Sequence, residues 1–431
     1  MKKNILVFPC GSEIALEIHR ALLHSAHFHL IGASSVNDHG KFVFEDYVDG
    51  LPFITDENFI PEIKRIVSEK KINAIYPAMD AVIEILKTHE NEIACKVIAP
   101  ELETTRICLS KSKTYKQLET VVHTPKLYTQ EEIENKEKLP YPVFAKPDIG
   151  YGSRGASIIH SETELEAHLQ KNPACIVLEY LPGEEFTVDC FTDKTGKLLC
   201  AKPRKRARIM NGISVNTMPV KENLDLFLQM ANAINKKIQF RGAWFFQVKK
   251  DADGILTLLE IASRFGGSSS LFRASGINFA LMTLFDAFDI PVSVLENHYE
   301  IEMDRALDNK YRINLDYNEV FVDFDDCIYL DKKFVNDSLI AFLFRARNQG
   351  KKITLLSRHD DERLGSLDSL LDTLRIKPVF DRIIHVPVAD KKINYIDNLN
   401  AIFIDDSFAE RKAIALKFGM NVFSLDMVEC L

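Results

Sequence analysis

A short apolar strand that runs into a glycine-rich loop is the feature that most restricts how this chain can fold and act. The stretch is Phe144-Ala-Lys-Pro-Asp-Ile-Gly-Tyr-Gly-Ser-Arg-Gly155. Val143 to Ala145 are typical of a strand that ends at Lys146, and Pro147 stops it because proline has no N–H to donate to a sheet. The glycines that follow allow a close approach of the backbone to a ligand. Such a loop can cover polyphosphate oxygens with its amides, beside a lysine as point charge.

This loop is not a Walker phosphate loop, because no Gly-Lys-Ser/Thr follows it. A mobile glycine-rich hairpin without a ligand is the alternative interpretation of the stretch by itself. The segments around it favour phosphate binding.

The composition is that of a globular protein with several domains. The 431 residues predict two to four domains, and 46% hydrophobic with 27% charged residues is ordinary for such a protein. The net charge of −8 leaves no overall electrostatic footprint for nucleic acid. No apolar run approaches the ~20 residues of a membrane helix, and the first residues lack a signal-peptide cleavage pattern. Eight scattered cysteines without a C-x-x-C pair predict reduced thiols and a cytoplasmic location.

The first hundred residues predict a small α/β domain. Residues 4–9 form an apolar run that breaks at Gly11 and passes into a helical pattern, with Ser12 as a plausible N-cap. This is the opening βα unit of a doubly wound sheet. It has one glycine where a dinucleotide-binding fingerprint has three, so we do not infer NAD binding.

Two acidic residues are brought together by a predicted turn after the glycine loop. A buried strand ends at Glu179, Pro182-Gly183 makes a turn, and a second strand runs from Phe186 to Phe191. The turn places Glu179 near Glu185. A carboxylate there can accept from an exocyclic amine or a ribose hydroxyl.

The segment Lys202-Pro-Arg-Lys-Arg-Ala-Arg208 is the most basic in the chain. In a strand, Lys202, Arg204, Arg206 and Arg208 fall on one face. Like charges on one sheet face repel unless anions lie among them. A solvated charge run or a nucleic-acid patch is the alternative. In an acidic protein we favour a bound polyphosphate or carboxylate.

A hairpin further along the chain predicts a metal site. Ala243–Val248 and Leu256–Ile261 are strand-like, and Asp251-Ala-Asp-Gly254 joins them by a turn. The turn sets Gln247 and Glu260 side by side at the strand ends. Oxygen ligands of this kind suit Mg²⁺.

These segments, in this order, resemble the ATP-grasp superfamily over nearly all of residues 1–300, closest to its carbamoyl-phosphate-synthase-like and carboxylate–amine-ligase branch. The resemblance implies a Rossmann-like pre-ATP-grasp domain followed by an ATP-grasp fold. It implies ATP and phosphate binding by Lys113, Lys146, Gly150, Gly152, Ser153, Gly155, Glu179, Tyr180, Leu181 and Glu185, to which the alternation of the basic strand adds Arg204 and Arg206. Within that set, residues 179–181 are the adenine hinge and residue 185 binds the ribose.

The resemblance also implies metal ligands and a catalytic arginine. Gln247 and Glu260 would hold Mg²⁺, or Mn²⁺ in its place, and Arg264 matches the arginine after the metal-binding strand. The family usually has Glu-x-Asn-x-Arg there. Ala262 cannot supply an amide oxygen, so the second metal site lacks that ligand unless Ser263 or water replaces it.

The resemblance implies the activity as well. ATP-grasp enzymes transfer the γ-phosphoryl group of ATP to a small-molecule carboxylate, and an amine, or more rarely a thiol, attacks the acyl phosphate. Cations stabilise the charge on the transferring group, and the glycine loop excludes water. A homodimer fits this resemblance, because ATP-grasp enzymes are often dimers.

Beyond a break near residues 308–310, a new domain begins with a buried strand that ends in Asp323-x-Asp325. A second strand ends in Ser357, and a third ends in Asp405-Asp406. A helix between the first two strands is capped by Asp337 or Ser338. Parallel strands deliver these groups to one sheet edge, where such folds bind ligands. Carboxylates gathered there imply Mg²⁺.

This domain resembles the haloacid-dehalogenase (HAD) phosphatases over about residues 317–431. The resemblance implies that Asp323 is the nucleophile and Asp325 the general acid/base. It implies that Ser357 and Lys391 hold the phosphoryl group, although the sequence does not decide between Lys391 and Lys392. The metal ligands it implies are Asp323, Asp325, Asp405 and Asp406.

The gaps between these motifs leave no room for an inserted cap domain, and Cys327 replaces a usual threonine. An inactive flavodoxin-like appendage is the alternative interpretation of this C-terminal part.

The predicted architecture is therefore an α/β and α+β multidomain chain. Its domains are a pre-ATP-grasp domain at 1–108, an ATP-grasp domain at 109–308 and a capless HAD-like Rossmannoid domain at 316–431. The predicted function is a bifunctional enzyme that ligates a small-molecule carboxylate to an amine and hydrolyses a phosphate monoester. The alternatives are a kinase that makes a phosphorylated metabolite, with a regulatory or inactive HAD domain, and an ATP-responsive binding module. No nucleic acid or membrane partner is expected.

Overall fold

The computed structural model describes residues 2–134, 139–150, 152, 154–210, 212–297, 299–306, 311 and 313–431. The chain divides into two compact units, Met1–Asp308 and Asn309–Leu431. The predicted domains at 1–108 and 109–308 both lie within the first unit. Across the described residues, no helix combines the length and apolar character that crossing a membrane requires.

The first unit begins with a parallel sheet flanked by helices. Its strands are β1 (Lys3–Phe8), β2 (Phe28–Ala33), β3 (Asp46–Val48), β4 (Ala74–Pro77) and β5 (Lys96–Val97), in the order β3-β2-β1-β4-β5. Its helices are α1 (Glu13–Leu22), α2 (Gly40–Val43), α3 (Phe59–Glu69), α4 (Asp80–Thr88) and α5 (Glu90–Ile93). The hydroxyl of Ser12 accepts the N–H of Ala15, which confirms it as the N-cap of α1. Ile5 and Leu6 of the central strand enter separate apolar clusters, one on each face.

Three helices and a small antiparallel sheet follow. The helices are α6 (Leu102–Leu109), α7 (Lys111–Leu118) and α8 (Gln130–Glu134). The strands β6 (Val143–Pro147), β7 (Ser157–Ile159) and β8 (Cys175–Glu179) pair in the order β7-β6-β8, with α9 (Glu162–Lys171) between the last two. The glycine-rich loop joins β6 to β7, and therefore lies at one end of this sheet.

A larger antiparallel sheet completes the first unit. Its strands are β9 (Glu185–Thr192), β10 (Leu198–Met210), β11 (Ile213–Pro219), β12 (Gly242–Lys250), β13 (Leu256–Ala262) and β14 (Met303–Asp304), in the order β13-β12-β9-β10-β11-β14. The helices α10 (Leu224–Lys237), α11 (Ser270–Ala274) and α12 (Phe279–Ala287) accompany it. Trp244 stacks on Phe240 with ring centroids 4.0 Å apart. Its indole N–H donates to Thr192, so this large side chain is buried without an unmet donor.

The hairpin of β12 and β13 has the predicted register. Gln247 lies directly opposite Glu260, and Asp251 closes the turn by accepting from the backbone of Asp253 and Ile255. The turn therefore fixes which side chains meet at the far end of the hairpin.

The second unit contains a parallel sheet of its own. The strands are β15 (Glu319–Val322), β18 (Lys352–Ser357), β19 (Arg382–His385), β20 (Ala401–Ile404) and β21 (Asn421–Phe423), in the order β19-β18-β15-β20-β21. A small hairpin consists of β16 (Tyr329–Leu330) and β17 (Phe334–Val335), and the helices are α13 (Asp337–Asn348), α14 (Asp361–Leu364), α15 (Leu367–Thr373) and α16 (Phe408–Phe418). Counted in chain order, this sheet repeats the 3-2-1-4-5 strand order of the first unit's parallel sheet.

One detail of α13 differs from the prediction. Asn336, and not Asp337 or Ser338, caps the helix, because its side chain accepts the N–H of Leu339. Asparagine is as good a cap as aspartate, and it lies one residue earlier. Gly350 follows the end of α13 with a positive φ of 78°, the left-handed conformation that glycine commonly supplies after a helix.

Candidate functional site

A cleft in the first unit lies among the small sheet, the glycine-rich loop and the large sheet. The predicted residues that line it are Lys146, Gly150, Gly152, Glu179, Tyr180, Leu181, Glu185, Arg206, Gln247 and Glu260. Of the described residues predicted for this site, Lys113, Gly155, Arg204 and Arg264 do not line it. Ser153 lies outside the described residues.

Lys146 comes from the end of β6 and is buried, with 7% of its surface exposed. Its ammonium group donates to the hydroxyl of Tyr115 and to the carbonyl oxygen of Leu259, both at 2.9 Å. Burial lowers its pKa to about 8, against the opposing effect of the Glu260 carboxylate. The partners of Lys146 are neutral, so its positive charge is available to an anion in the cleft.

The second lysine of the cleft is Lys111 and not Lys113. Lys111 is 7% exposed, lines the cleft and donates to the carbonyl oxygens of Asp148 and Gly150, each at 3.3 Å. Lys113 is exposed on the outer side of α7. The structure therefore places Lys111 in the cleft, where the sequence analysis expected Lys113. Helical spacing explains why, since Lys111, Tyr115 and Leu118 share the buried face at i, i+4 and i+7.

The glycine-rich loop passes along the cleft. Gly150 and Gly152 line it, and Gly152 has φ of 63°, which favours glycine. Gly155 also has a positive φ, 71°, but it does not itself line the cleft, and a side chain at this position would meet Pro147. The loop therefore brings a backbone with little side-chain bulk to the cleft at two glycines, and uses the third to turn.

The segment predicted as the adenine hinge forms another part of the lining. Glu179, Tyr180 and Leu181 all line the cleft. The carboxylate of Glu179 accepts the backbone N–H of Lys126 at 2.9 Å. The side chain of Glu179 therefore has a structural partner, which leaves backbone groups as the ligand-facing atoms of a hinge.

Arg206 is the centre of a polar network on the large sheet. Its guanidinium donates to Glu185, to Gln247 at 2.9 Å and to the carbonyl of Gly212 at 2.7 Å. Two of the predicted cleft residues, Glu185 and Gln247, are thus held by one cation. Binding of a ribose or a metal by these oxygens requires them to share or exchange this arginine.

The other cations of β10 have carboxylate partners from the chain itself. Arg204 is 3% exposed and donates to Asp189 at 2.6 Å, so it lies in the interior and not in the cleft. Lys202 pairs with Glu296, and Arg208 pairs with Asp304. Together with the pair of Arg206 and Glu185, all four aligned cations thus have acidic partners from the chain, which supply the negative charge that the sequence analysis assigned to a bound anion.

Glu260 is the carboxylate most available to a cation in the cleft. It faces Gln247 across the hairpin, and within the described part of the chain it has no hydrogen-bond or ion-pair partner. A free carboxylate beside an amide oxygen and two lysines is a donor set that fits Mg²⁺ together with phosphate oxygens. Ala262 is 7% exposed and offers no ligand atom.

Arg264 lies away from this group. Its guanidinium donates to Asp80 at the start of α4, with distances of 2.8 and 3.1 Å to one carboxylate oxygen. The side chain also stacks over the ring of Phe245. Asp80 follows β4, so this ion pair joins the end of the parallel sheet to the end of β13.

Comparison with known proteins finds matches to parts of this chain. Residues 171–306 match the family described as ATP-grasp in the biosynthetic pathway with Ter operon. The chain is 29% identical over 168 residues to the arginine-specific carbamoyl phosphate synthase large chain of Geobacillus stearothermophilus, covering 36% of this chain and 16% of the relative. It is 27% identical over 157 residues to the D-alanine–D-alanine ligase of Granulibacter bethesdensis, covering 33% and 51%.

A solved structure resembles the fold over a longer range. The biotin carboxylase domain of Hydrogenobacter thermophilus 2-oxoglutarate carboxylase, a dimer in complex with MgADP and bicarbonate, superposes with a TM-score of 0.59 at 18% identity. The match covers 69% of this chain and 73% of that one. These matches support the ATP-grasp superfamily. The matched stretches cover 16% and 51% of the two curated relatives, so this chain spans about half or less of the length of each.

The matching family model ends at residue 306, and a separate acidic site lies in the second unit, Asn309–Leu431. Lys392 contacts Asp323 at 2.7 Å and Asp405 at 2.6 Å. As whole residues, Lys392, Asp323 and Asp405 are 3%, 6% and 0% exposed. Burial raises the pKa of Asp323 to about 7, helped by Asp405 and opposed by Lys392. Burial opposes the charge of Lys392, but the two carboxylates raise its pKa overall.

The lysine of this site is Lys392 and not Lys391. Lys391 is exposed, and its backbone N–H donates to Asp390. The sequence left these two lysines open. The short 3₁₀ turn at Lys392–Tyr395 directs only the second of them into the sheet edge.

The metal ligands predicted for the second unit are only partly brought together. Asp323, Cys327 and Asp406 offer oxygen or sulfur atoms that lie within 4.8 Å of one another. Asp405 is held by Lys392 and by the N–H of Ser407, and the carboxylate of Asp325 faces His359 at 2.8 Å. The group Asp323, Asp405 and Asp406 has one lysine against three carboxylates, a charge balance that fits a divalent cation.

Two further residues complete this sheet edge. The hydroxyl of Ser357 is fully buried and, among the described residues, has no hydrogen-bond partner. His359 was not predicted, although it follows Ser357 by two residues and so leaves the same strand end. The signal for it was the strand-end position itself, where ligand-binding residues of parallel sheets collect.

Proposed function

We propose that the ATP-grasp unit binds ATP with Mg²⁺ and activates a small-molecule carboxylate as an acyl phosphate for ligation to an amine. The observation that carries this proposal is the convergence of Lys111, Lys146 and Glu260 on one cleft beside a glycine-rich loop. Two buried cations and one free carboxylate form a set that can hold a metal–polyphosphate. The names of the matched D-alanine–D-alanine ligase and carbamoyl phosphate synthase support ligase chemistry.

In this proposal each group has a distinct role. Lys111 and Lys146 pair with phosphate oxygens, and the amides at Gly150 and Gly152 cover them. Residues 179–181 receive the adenine, and Glu185 receives the ribose after exchanging its contact with Arg206. Glu260 and Gln247 would hold Mg²⁺ or Mn²⁺, which supplies charge neutralisation of the phosphate oxygens.

The carboxylate and the amine remain proposals at the level of chemical class. Arg264 can donate to an anionic group only if it exchanges its pair with Asp80, so we propose that substrate binding near the end of β4 makes that exchange. A guanidinium is suited to this role because it donates two parallel hydrogen bonds to a carboxylate or phosphoryl group.

We propose that the second unit is a capless HAD-like phosphatase. The support is the buried triad of Asp323, Lys392 and Asp405 at the carboxyl edge of a parallel sheet. An oxygen of Asp323 attacks the phosphorus of a monoester, and the ester oxygen leaves with a proton from Asp325. Water then hydrolyses the aspartyl phosphate and releases inorganic phosphate. Lys392 and the free hydroxyl of Ser357 hold the phosphoryl oxygens.

The two activities are tested by their own variants in the full-length chain. The protein is incubated with ATP, Mg²⁺ and a metabolite extract, and products are identified by mass spectrometry. Lys146→Ala should abolish consumption of ATP, and unchanged turnover would contradict the ligase assignment. Asp323→Asn should accumulate a phosphorylated species that the wild type removes.

The alternative function is a kinase whose product the second unit dephosphorylates. The two functions differ in their need for an amine, because a ligase gives ADP and phosphate only when the acyl phosphate is attacked. ADP formation that is independent of any added amine, with a stable phosphorylated product, would favour the kinase.

A further inference from the structure

His359 lies beside the proposed phosphatase site, and the proposed reaction gives it no role. It follows Ser357 by two residues, and only 1% of its side chain is exposed. Its ring packs edge-on against Phe324, with centroids 5.7 Å apart and an angle of 78°. Phe324 is the residue between Asp323 and Asp325, so the imidazole lies against the Asp-x-Asp segment itself.

Both ring nitrogens of His359 have fixed partners. Nδ1 lies 2.9 and 2.8 Å from the two carboxylate oxygens of Asp325. Nε2 lies 2.8 Å from the carbonyl oxygen of Gly365, and it must donate there because a carbonyl oxygen only accepts. The ring is therefore held at both ends, and it cannot flip without losing both contacts.

The backbone on either side of His359 is also fixed. Its carbonyl oxygen accepts from Nε2 of His385, at the end of the neighbouring strand β19, at 2.7 Å. Gly365 has φ of 90°, a conformation that favours glycine, and this turns its carbonyl towards the imidazole. The support for His359 thus comes from the loop before α14, the residue after α14 and the strand β19.

Asp325, by contrast, is not buried. Its side chain is 31% exposed, whereas that of Asp323 is 8% exposed. Among the described side chains, only His359 forms a hydrogen bond with the carboxylate of Asp325. Without this contact the carboxylate would be free to rotate into solvent, and a proton donor that rotates away is not aligned with a leaving oxygen.

We infer that His359 is a positioning residue that holds the carboxylate of Asp325 in one orientation beside Asp323. The inference rests on the proposed phosphatase function. It concerns the departure of the ester oxygen and not the binding of the phosphoryl group, which Lys392 and Ser357 provide. Loss of the contact should therefore lower kcat and leave KM nearly unchanged.

Two substitutions separate the two contacts of the imidazole. Asn in place of His359 keeps an amide group close to the position of Nδ1, where its nitrogen can donate to Asp325 or its oxygen can accept from it. Gln places its N–H nearer the position of Nε2, facing Gly365. His359→Asn should therefore retain most of the activity, and His359→Gln should lose it.

The readout is the ratio of kcat for phenyl phosphate to kcat for p-nitrophenyl phosphate in the same preparation, with Mg²⁺ present. A nitrophenolate leaves readily without a proton, whereas a phenolate benefits from one. Misplacement of the general acid should lower kcat for phenyl phosphate by about 10²-fold or more, and that for p-nitrophenyl phosphate far less. Since both rates come from one preparation, a fraction of unfolded protein cancels in the ratio.

The outcomes are distinct. A ratio that falls in His359→Gln and recovers in His359→Asn supports the inference. An unchanged ratio in His359→Gln, with wild type active on both esters, overturns the inference and leaves the phosphatase intact. A wild type that hydrolyses neither ester overturns the phosphatase assignment, and with it the positioning role.

Discussion

Lys146 donates to the hydroxyl of Tyr115 at 2.9 Å, and both side chains also donate to the carbonyl oxygen of Leu259. The phenol uses its own proton on that carbonyl, so its oxygen is left to accept from the ammonium group. A side chain of α7 and a backbone carbonyl of β13 thus orient one cation with neutral groups only. The orientation of Lys146 is fixed while its charge stays unpaired.

We expect the affinity for ATP to fall as the pH rises above about 8. Burial lowers the pKa of Lys146 to about 8, so its positive charge is present below that pH and is lost above it. Where binding requires this proton, Kd rises up to about tenfold per pH unit. Calorimetric titration of ATP with Mg²⁺ between about pH 7 and about pH 9.5 measures the effect. Lys146→Arg is the control, because arginine stays charged throughout; parallel pH profiles would refute the assignment.

The two lysines of α7 should behave differently. Lys111→Met removes a cation from the cleft lining and should weaken ATP binding by about 1.4 kcal/mol or more, a factor of ten. Lys113→Met changes an exposed residue and should alter binding by less than about 0.5 kcal/mol. Methionine keeps the length of the stem in both cases. Equal effects of the two substitutions would show that Lys111 is not a phosphate ligand.

Lys392 should be essential to the stability of the second unit. Lys392→Met leaves the buried carboxylates Asp323 and Asp405 without their cation, which costs about 3–5 kcal/mol. Lys391→Met is the matched control and should stay within about 0.5 kcal/mol of wild type. Calorimetry follows both units, whereas tryptophan fluorescence follows only the first, because Trp244 is the single tryptophan. A fall in the fluorescence-detected transition would indicate a different cause.

Asp323 should make the second unit sensitive to pH in the presence of a chelator. Its pKa of about 7 in the folded chain lies above the ordinary value for aspartate. A raised pKa contributes stability that is present at low pH and is lost as the pH rises through about 7. We expect Asp323→Asn to raise the melting temperature near pH 8 and to remove the gain that Mg²⁺ gives the wild type. Asp316→Asn, at an exposed position, should do neither.

The register of the β12–β13 hairpin could be predicted because the position of the turn at residues 251–254 determines which residues of the two strands lie opposite each other. The strand ends at Ser357 and Ile404 were likewise visible, since each apolar run stops at a polar residue. Local patterns of this kind determine the geometry of the residues next to them. They require no knowledge of distant parts of the chain.

Contacts between distant segments could not be predicted in this way. Strand parity correctly put Lys202 and Arg204 among a set of aligned cations, but nothing in that pattern names Glu296 or Asp189 as their partners. Because these acidic partners could not be recognised from the sequence, a bound anion was predicted instead. Lys111 is a different case, because the sequence itself shows that it shares a helical face with the apolar residue Tyr115. That shared face is a better guide to the buried lysine than the central position of Lys113 among three lysines.

Both parallel sheets have the same strand order, and in the second the polar side chains of the acidic site lie just beyond the strand ends. The chemistry proposed for the second unit depends on a few side chains just beyond the strands, such as Asp323 and Asp405, while the strands themselves hold the fold. An isosteric substitution such as Asp323→Asn would thus remove one proposed activity and keep the sheet intact. Such variants would separate the contributions of the two proposed activities in a cell, because each leaves the rest of the full-length protein unchanged.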